Sequence, residues 1–337
     1  MARAWEVWFV FGHAQKFSVQ TLPGCRNVNL PVLPLQKNTM TSLPKLPCYL
    51  NGEFTTLPHA KISVMDRGFI FGDGVYEVLP VYQGRVFRFA QHMARLDRSL
   101  SELRIPNPHS HAQWAEIAAK LIAAYADSMG ATDQNADQLI YIQITRGVAL
   151  RDHVMPADIT PTVFAMSNAL KLPSAQQRQQ GVACVSADDF RWQKAHIKST
   201  SLLGAVFARQ ISFDAGAVET IMFRDGFLSE AAASNVWVVK DSKVLGVPKD
   251  NLALEGIRYG LIEEICQAQG IAFELRRISR VEVLAADEIL LSSATKEVLP
   301  VTLLDGQRVG NGLPGPVYAQ LYAGYQLAKA QPVAGVV

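Results

Sequence analysis

Four times in this sequence a short apolar stretch runs into a pair that ends in glycine: Asn51-Gly52, Gln83-Gly84, Asp225-Gly226 and Asp305-Gly306. Pairs such as Asn-Gly accept positive φ at both central positions of a tight turn, so they commit the flanking residues to hairpins. The strands implied are 49–54, two within 78–87, 220–223 with 227–228, and two within 300–309. Alternating or short apolar runs at 139–145, 162–166, 182–185, 235–239 with 244–245, and 288–292 add more strands. Between them the apolar spacing changes. Met93, Leu96, Leu100 and Leu103 recur at helical intervals, and 111–129 forms a second helical stretch. Leu202, Leu203, Val206, Phe207 and Ile211 predict a third helix reaching about residue 215. A fourth runs over 256–269 and closes at Gly270, and a last covers 314–330 with proline in its first turn.

Strands and helices mixed in this way predict an α/β (α+β mixed) chain of two domains. Residues 1–45 stand apart: one acid, Glu6, five basic residues, four prolines and no lasting period. They read as an extension that is non-folded and dispensable, as a targeting segment, or as the product of a misplaced start ahead of Met40. The small domain is expected at 46–166, a linker containing Pro173 at 167–174, the large domain at 175–330 and a tail at 331–337. With 337 residues, 49% of them hydrophobic and 18% charged, the chain can build a sizeable core. A net charge of +2 argues against a dedicated nucleic-acid binder. Cys25, Cys48, Cys184 and Cys266 lie far apart with no paired spacing, which argues against a zinc site and for reduced thiols in the cytoplasm. No apolar run has the length of a membrane helix.

The chemistry centres on residues 196–204, His-Ile-Lys-Ser-Thr-Ser-Leu-Leu-Gly. Lys198 follows a short β-like run and precedes the third helix, a junction from which a lysine can enter a cleft. A desolvated lysine loses proton affinity and becomes an amine nucleophile. Alone it would read as a solvated surface residue; its company changes that. The stretches Asp-Arg-Gly-Phe-Ile-Phe-Gly-Asp-Gly-Val-Tyr-Glu at 66–77, His-Met-Ala-Arg-Leu at 92–96 and Thr-Arg-Gly-Val-Ala-Leu-Arg-Asp-His at 145–153 occur in order. So do Ile-Lys-Ser at 197–199, Glu-Ala-Ala-Ala-Ser-Asn at 230–235, Leu-Glu-Gly-Ile at 254–257 and Ser-Ser-Ala-Thr at 292–295. Across residues 47–330 the chain resembles the fold-type IV pyridoxal-phosphate aminotransferases, and among them the D-amino-acid (D-alanine) aminotransferases.

That resemblance implies pyridoxal 5′-phosphate as cofactor, held by the large domain, with Lys198 as the Schiff-base lysine and proton carrier. It implies that Glu230 faces the pyridine nitrogen and keeps it protonated. Arg95 becomes the phosphate arginine, its guanidinium suited to a two-point grip; Arg88 and Arg98 are neighbouring competitors. Gly256 and Ile257 open a helix whose amides favour an anion, with Arg258, Ala294, Thr295, Ser234 and Asn235 nearby. Arg258 stands where the family often has threonine, and Ala231, Ala232 and Ala233 replace hydroxyl-bearing residues. Tyr141 is placed near the ring oxygen. Tyr76, Arg151 and His153 are the substrate carboxylate trap and Val78 lines the side-chain pocket. In this branch the Arg-Asp-His loop reaches the neighbouring subunit's site, which implies a homodimer. No metal, nucleic acid or membrane is implied. The implied reaction passes the amino group of a D-amino acid, typically D-alanine, to a 2-oxo acid such as 2-oxoglutarate. A branched-chain L-amino-acid aminotransferase, an (R)-amine transaminase, a 4-amino-4-deoxychorismate lyase and a non-catalytic pyridoxal-phosphate binder are the alternatives.

Overall fold

The computed structural model describes residues 42–129 and 136–331. The extension expected up to residue 45 therefore falls almost wholly outside the described residues, as does the tail beyond 331.

The chain begins with β1 (Pro47–Leu50) and β2 (Glu53–Thr56), then α1 (Arg67–Phe71), β3 (Gly74–Tyr82), β4 (Arg85–Val86), α2 (Phe89–Glu102), α3 (His111–Ser128), β5 (Gln138–Thr145) and β6 (Thr162–Ala169). These strands make one antiparallel sheet in the order β2-β1-β6-β5-β3-β4. Both turn positions at Asn51-Gly52 and at Gln83-Gly84 carry positive φ, which is why those pairs mark hairpins. Along β3, Val75, Leu79 and Val81 point into a core shared with α2 and α3, where Met93, Leu96, Trp114 and Leu121 lie buried. Ser110 starts α3 with a capping box: its hydroxyl accepts from the Gln113 amide and the Gln113 side chain accepts from the Ser110 amide.

The second half contains α4 (Ala175–Gln180), β7 (Val182–Asp188), α5 (Leu203–Asp214), β8 (Glu219–Arg224), β9 (Phe227–Ala231), β10 (Asn235–Lys240) and β11 (Lys243–Gly246). It continues with α6 (Arg258–Gln269), β12 (Phe273–Leu275), α7 (Arg280–Leu284), β13 (Glu288–Ser293), β14 (Glu297–Leu304), β15 (Gln307–Arg308) and α8 (Pro316–Ala330). Nine strands form a mixed sheet, β12-β11-β10-β13-β14-β7-β8-β9 with β15 on β14, whose parallel pairs are β11/β12, β14/β7 and β7/β8. Its core is built on Trp237, Tyr259, Leu290, Leu291, Leu321 and Tyr325. Gly270 ends α6 in the left-handed conformation, φ 67°, and a proline opens α8.

Two expectations need correction. Ser167, Asn168 and Ala169, expected in the linker, instead continue β6 and pair with β5; Ser167 is fully buried there. The β-like run before Lys198 is no strand. After β7 the chain turns, touches backbone singly at Phe223 (from Asp189) and Asn251 (from Ala195), and then reaches the open start of β3, where Ser199 and Val75 form an isolated bridge. Segment 198–200 is thus a strap from the nine-stranded sheet to the six-stranded one.

Candidate active site

Between the two sheets lies a cavity of about 1230 Å³. Period-two alternation aims Tyr76 and Val78 of β3 into it while Val75, Glu77 and Leu79 face the core. The strap fixes Lys198 from both sides of its peptide. The Lys198 carbonyl accepts from the Tyr76 amide at 2.9 Å, and its amide donates to Ser99 Oγ of α2 at 3.3 Å. Thr200 adds its amide to the Gly74 carbonyl and its hydroxyl to the Gly72 carbonyl. The Lys198 amine lies 3.9 Å from the centroid of the Tyr76 ring, within reach of a cation–π contact.

Glu230, at the end of β9, is a buried carboxylate lining the cavity. Arg191 Nη1 donates to its Oε1; Leu254 N, at 3.1 Å, and Asn235 Nδ2, at 3.4 Å, donate to Oε2. Burial raises its pKa above the ordinary value, and Arg191 offsets part of that rise. Arg191 is itself gripped by Asp189, which accepts from Nε at 2.9 Å and Nη2 at 2.8 Å. Burial works against the guanidinium's charge, yet Asp189 and Glu230 together hold its pKa above the usual value.

The opposite end is cationic. Arg95 of α2 lines the cavity, with Nη1 3.3 Å from the Glu255 carbonyl. Its Nε and Nη2 also donate to Glu77, at 2.7 and 2.8 Å, so one edge of the guanidinium is taken and the Nη1 end is what remains toward the cavity. Arg88 and Arg98 pair with Glu264 and Glu255 and stay out of the cavity. Ile257 caps α6 without a side-chain bond; the Tyr259 amide turns back to the Gly256 carbonyl, and the Ile257 and Arg258 amides are left open. Gly256 is required there: a Cβ would run into Asn235 Oδ1. Arg258 borders the cavity but its Nε and Nη2 donate to the Tyr325 hydroxyl, at 3.2 and 3.1 Å. Ala294 and Thr295 form the β13–β14 turn on the same wall; Ser234, also on it, donates its hydroxyl to Glu219.

Three expected residues lie outside the lining. Tyr141 pairs with Val78 across the β3/β5 ladder, so it sits one strand further out; its hydroxyl donates to Gln143 at 2.7 Å and its ring backs Tyr76. Arg151 and His153 are exposed and gather on Phe71, at 5.5 and 5.4 Å from its ring centroid, and Phe71 does line the cavity. Arg67 anchors their loop by donating to the Asp152 carbonyl at 2.6 Å. Sequence reasoning missed Arg191, Asp189 and Ser99. The first two sit in an aperiodic segment and Ser99 is a small polar residue in an apolar helix face, so no spacing signals them. Among the described residues no cluster of histidine, cysteine, aspartate or glutamate is arranged to hold a metal ion, and no helix is long and apolar enough to cross a membrane.

An amine and a buried carboxylate share this cavity with an arginine and an open helix start, a set that fits an anionic aldehyde cofactor with a basic ring nitrogen. Comparison with known proteins agrees. The family model for amino-transferase class IV matches residues 74–304. The D-alanine aminotransferase of Bacillus licheniformis is 37% identical over 267 residues, 79% of this chain and 91% of that protein. That of Staphylococcus aureus (strain COL) is 36% identical over 279 residues, 82% of this chain and 96% of that protein. Among solved structures, the Escherichia coli branched-chain amino acid aminotransferase superposes with a TM-score of 0.75 at 24% identity, covering 87% of this chain and 98% of that one. The branched-chain amino acid aminotransferase of T.th., solved with pyridoxamine 5′-phosphate, gives 0.76 at 21%, covering 86% and 95%. At such identities the structural likeness speaks for the fold alone. The family model and the curated relatives go further, and with them the chain belongs to the class IV aminotransferases, the fold-type IV pyridoxal-phosphate family.

Proposed function

We propose that this chain is a D-amino-acid aminotransferase that uses pyridoxal 5′-phosphate to pass the amino group of a D-amino acid, D-alanine typically, to a 2-oxo acid such as 2-oxoglutarate. The observation that carries the reading is the pair Arg151 and His153, held together on Phe71 at the edge of the cavity. A guanidinium and an imidazole on one short loop are the donors an α-carboxylate needs. Similarity to D-alanine aminotransferases along most of their length supports the same choice. The pair is exposed in the single chain, in keeping with a loop that serves the neighbouring subunit of a homodimer. Leu203, Val206 and Phe207 of α5 and Leu150 and Val154 of the loop are exposed too, an apolar surface suited to a second copy. Residues 46–169 are read as the small domain and 175–330 as the large cofactor-binding domain. The buried, unpaired Cys48, Cys184 and Cys266 suit the reducing cytoplasm.

When bound, the cofactor supplies an aldehyde that exchanges amines and a ring that accepts electron density from the substrate Cα. The chain's residues supply the rest. Lys198 Nζ takes the proton from Cα and returns it on the other side of the exchange. Glu230 holds a proton on the ring nitrogen. Arg95, the first amides of α6 and the turn at Ala294-Thr295 hold the phosphate, and Ser234, Asn235 and Arg258 shape that wall. Tyr76 and Val78 border the reacting carbon.

The test offers D-alanine and L-leucine separately, each with 2-oxoglutarate, and measures pyruvate and 2-oxoisocaproate. Pyruvate from D-alanine is expected, and Arg151→Ala lowers its kcat/KM by roughly tenfold to a hundredfold, the cost of a lost charge-assisted contact. Turnover of L-leucine alone, or an Arg151→Ala variant with unchanged D-alanine kinetics, overturns the assignment.

A further inference from the structure

Glu77 occupies a place where a carboxylate is out of pattern. It alternates on β3 with Val75, Leu79 and Val81 on the face that packs against α2, and all four are fully buried. It does not line the cavity. Its carboxylate nevertheless receives three donors: Arg95 Nε on Oε1 at 2.7 Å, and Arg95 Nη2 and His92 Nδ1 on Oε2 at 2.8 and 2.7 Å. His92 and Arg95, three apart on α2, share the face that meets β3. Arg95 then crosses from this core to the cavity wall, where Nη1 reaches the Glu255 carbonyl just ahead of Gly256 and the start of α6. A buried guanidinium gripped along its Nε–Nη2 edge cannot swing. Its remaining Nη1 side is the part turned to the α6 amides, and an anion there meets a donor already in place.

We propose that Glu77 is a positioning residue for phosphate binding, locking Arg95 so that it contributes one fixed donor edge beside the amides of α6. This rests on the reading of Arg95 as the phosphate arginine. The anion is then held chiefly by the backbone at Gly256–Arg258 and the Ala294-Thr295 turn, with Arg95 as a fixed charge beside them. Glu77 also follows Tyr76, whose amide holds the Lys198 carbonyl, so one strand sets both the cationic end and the amine end of the cavity.

The experiment compares two probes on cofactor-stripped full-length protein: pyridoxal 5′-phosphate and pyridoxal, which lacks the phosphate. Binding is followed by visible absorbance. Glu77→Gln should weaken pyridoxal phosphate about tenfold, the scale of a charge-assisted contact, and change pyridoxal by less than about twofold. Added to Arg95→Gln, it should cost little more, because the residue it positions is gone. Equal weakening of both probes makes Glu77 a support of the fold only and overturns the proposal; so does an unchanged or tighter affinity for pyridoxal phosphate. Arg95→Gln alone tests the underlying reading. If it fails to separate the two probes, the phosphate assignment falls and this proposal with it; if it separates them and Glu77→Gln does not, only this proposal falls. Should Glu77→Gln not fold, Glu77→Asp carries the test, since it keeps the charge and withdraws it by one methylene. The same selective loss, reduced to a few-fold, is expected, and a wild-type ratio between the probes overturns the proposal.

Discussion

Each of the two sheets presents a buried carboxylate with an arginine beside it, and the two arginines are used differently. In the six-stranded sheet Arg95 turns its Nε–Nη2 edge to Glu77. In the nine-stranded sheet Arg191 turns the same edge to Asp189 and leaves only Nη1 for Glu230. The consequences for proton affinity are opposite. Burial works against the charge of Glu77, but Arg95 and His92 prevail and hold it below the usual carboxylate range. Burial likewise works against Glu230, and there a single donor from Arg191 does not prevail, so its pKa stays raised. A carboxylate gripped by a whole guanidinium edge is a fixed anion. Glu230, which meets only one nitrogen of its arginine and lies near the charge of Asp189, keeps a raised proton affinity, and it does so at a cavity wall.

The comparison breaks first at Glu230. Glu230→Gln removes the charge that would hold a proton on the ring and should lower kcat for D-alanine by about a hundredfold, roughly 3 kcal/mol, on the scale of one lost electrostatic contact in a site. Glu77→Gln, measured at saturating cofactor, should keep kcat within about threefold, because Glu77 touches no reacting group. Stopped-flow rates of the D-alanine half-reaction distinguish the two. Similar losses in both variants would mean that the carboxylates share one role.

The next effect is on acid stability. Burial pushes the His92 imidazole down to about 4 from an ordinary 6.5, so the neutral ring donates Nδ1–H to Glu77. As pH falls below about 6.5 the unfolded chain gains a proton that folded His92 refuses, and stability declines until the pH nears 4. Glu77, held below its ordinary 4.5, continues the decline from there, since protonation is favoured only in the unfolded chain. Glu230 acts with the opposite sign: its raised pKa lets the folded chain bind a proton first, which favours folding as pH falls through that value. Urea unfolding at pH 7, 5.5 and 4 should show a His92 contribution of about 2–3 kcal/mol lost over that range. His92→Gln should flatten it; an equally steep curve in that variant would assign the loss to other groups.

What could be read from the sequence was local. The Asn51-Gly52, Gln83-Gly84, Asp225-Gly226 and Asp305-Gly306 turns are written in the backbone preferences of two residues, and each is where it was expected. Lys198 and Glu230 were found through motif order and share the cavity. Arg95 lines the cavity too, but its bond to Glu77 depends on β3 and α2 packing together, which neither segment states alone. Asp189 and Arg191 lie in a stretch without periodicity. The exposed side of α5 was hidden for another reason: Leu203, 68% exposed, and Phe207, 57%, show the apolar spacing of a buried face. Apolar spacing indicates a surface that avoids water, and does not say whether its own chain or another covers it.

The smallest effect sharpens the comparison most. A lysine can replace the charge of Arg191 but not its planar edge. In Arg191→Lys one ammonium must choose between Asp189, which now takes two nitrogens, and Glu230, which takes one. Arg224 Nη2 also lies 3.3 Å from Asp189, so Asp189 keeps a cation if the lysine leaves it. The ammonium is therefore free to pair with Glu230, and the charge at the ring end is conserved while its direction is loosened. The expected loss in kcat is about fivefold, near 1 kcal/mol, well short of Glu230→Gln. Arg191→Gln removes the charge as well and should fall between the two. If Arg191→Lys instead equals Glu230→Gln, the edge geometry and not the charge sets the behaviour of Glu230. If it equals wild type, Arg191 is a bystander, and the contrast between the two carboxylates rests on the pair Arg95 and His92 that only Glu77 has.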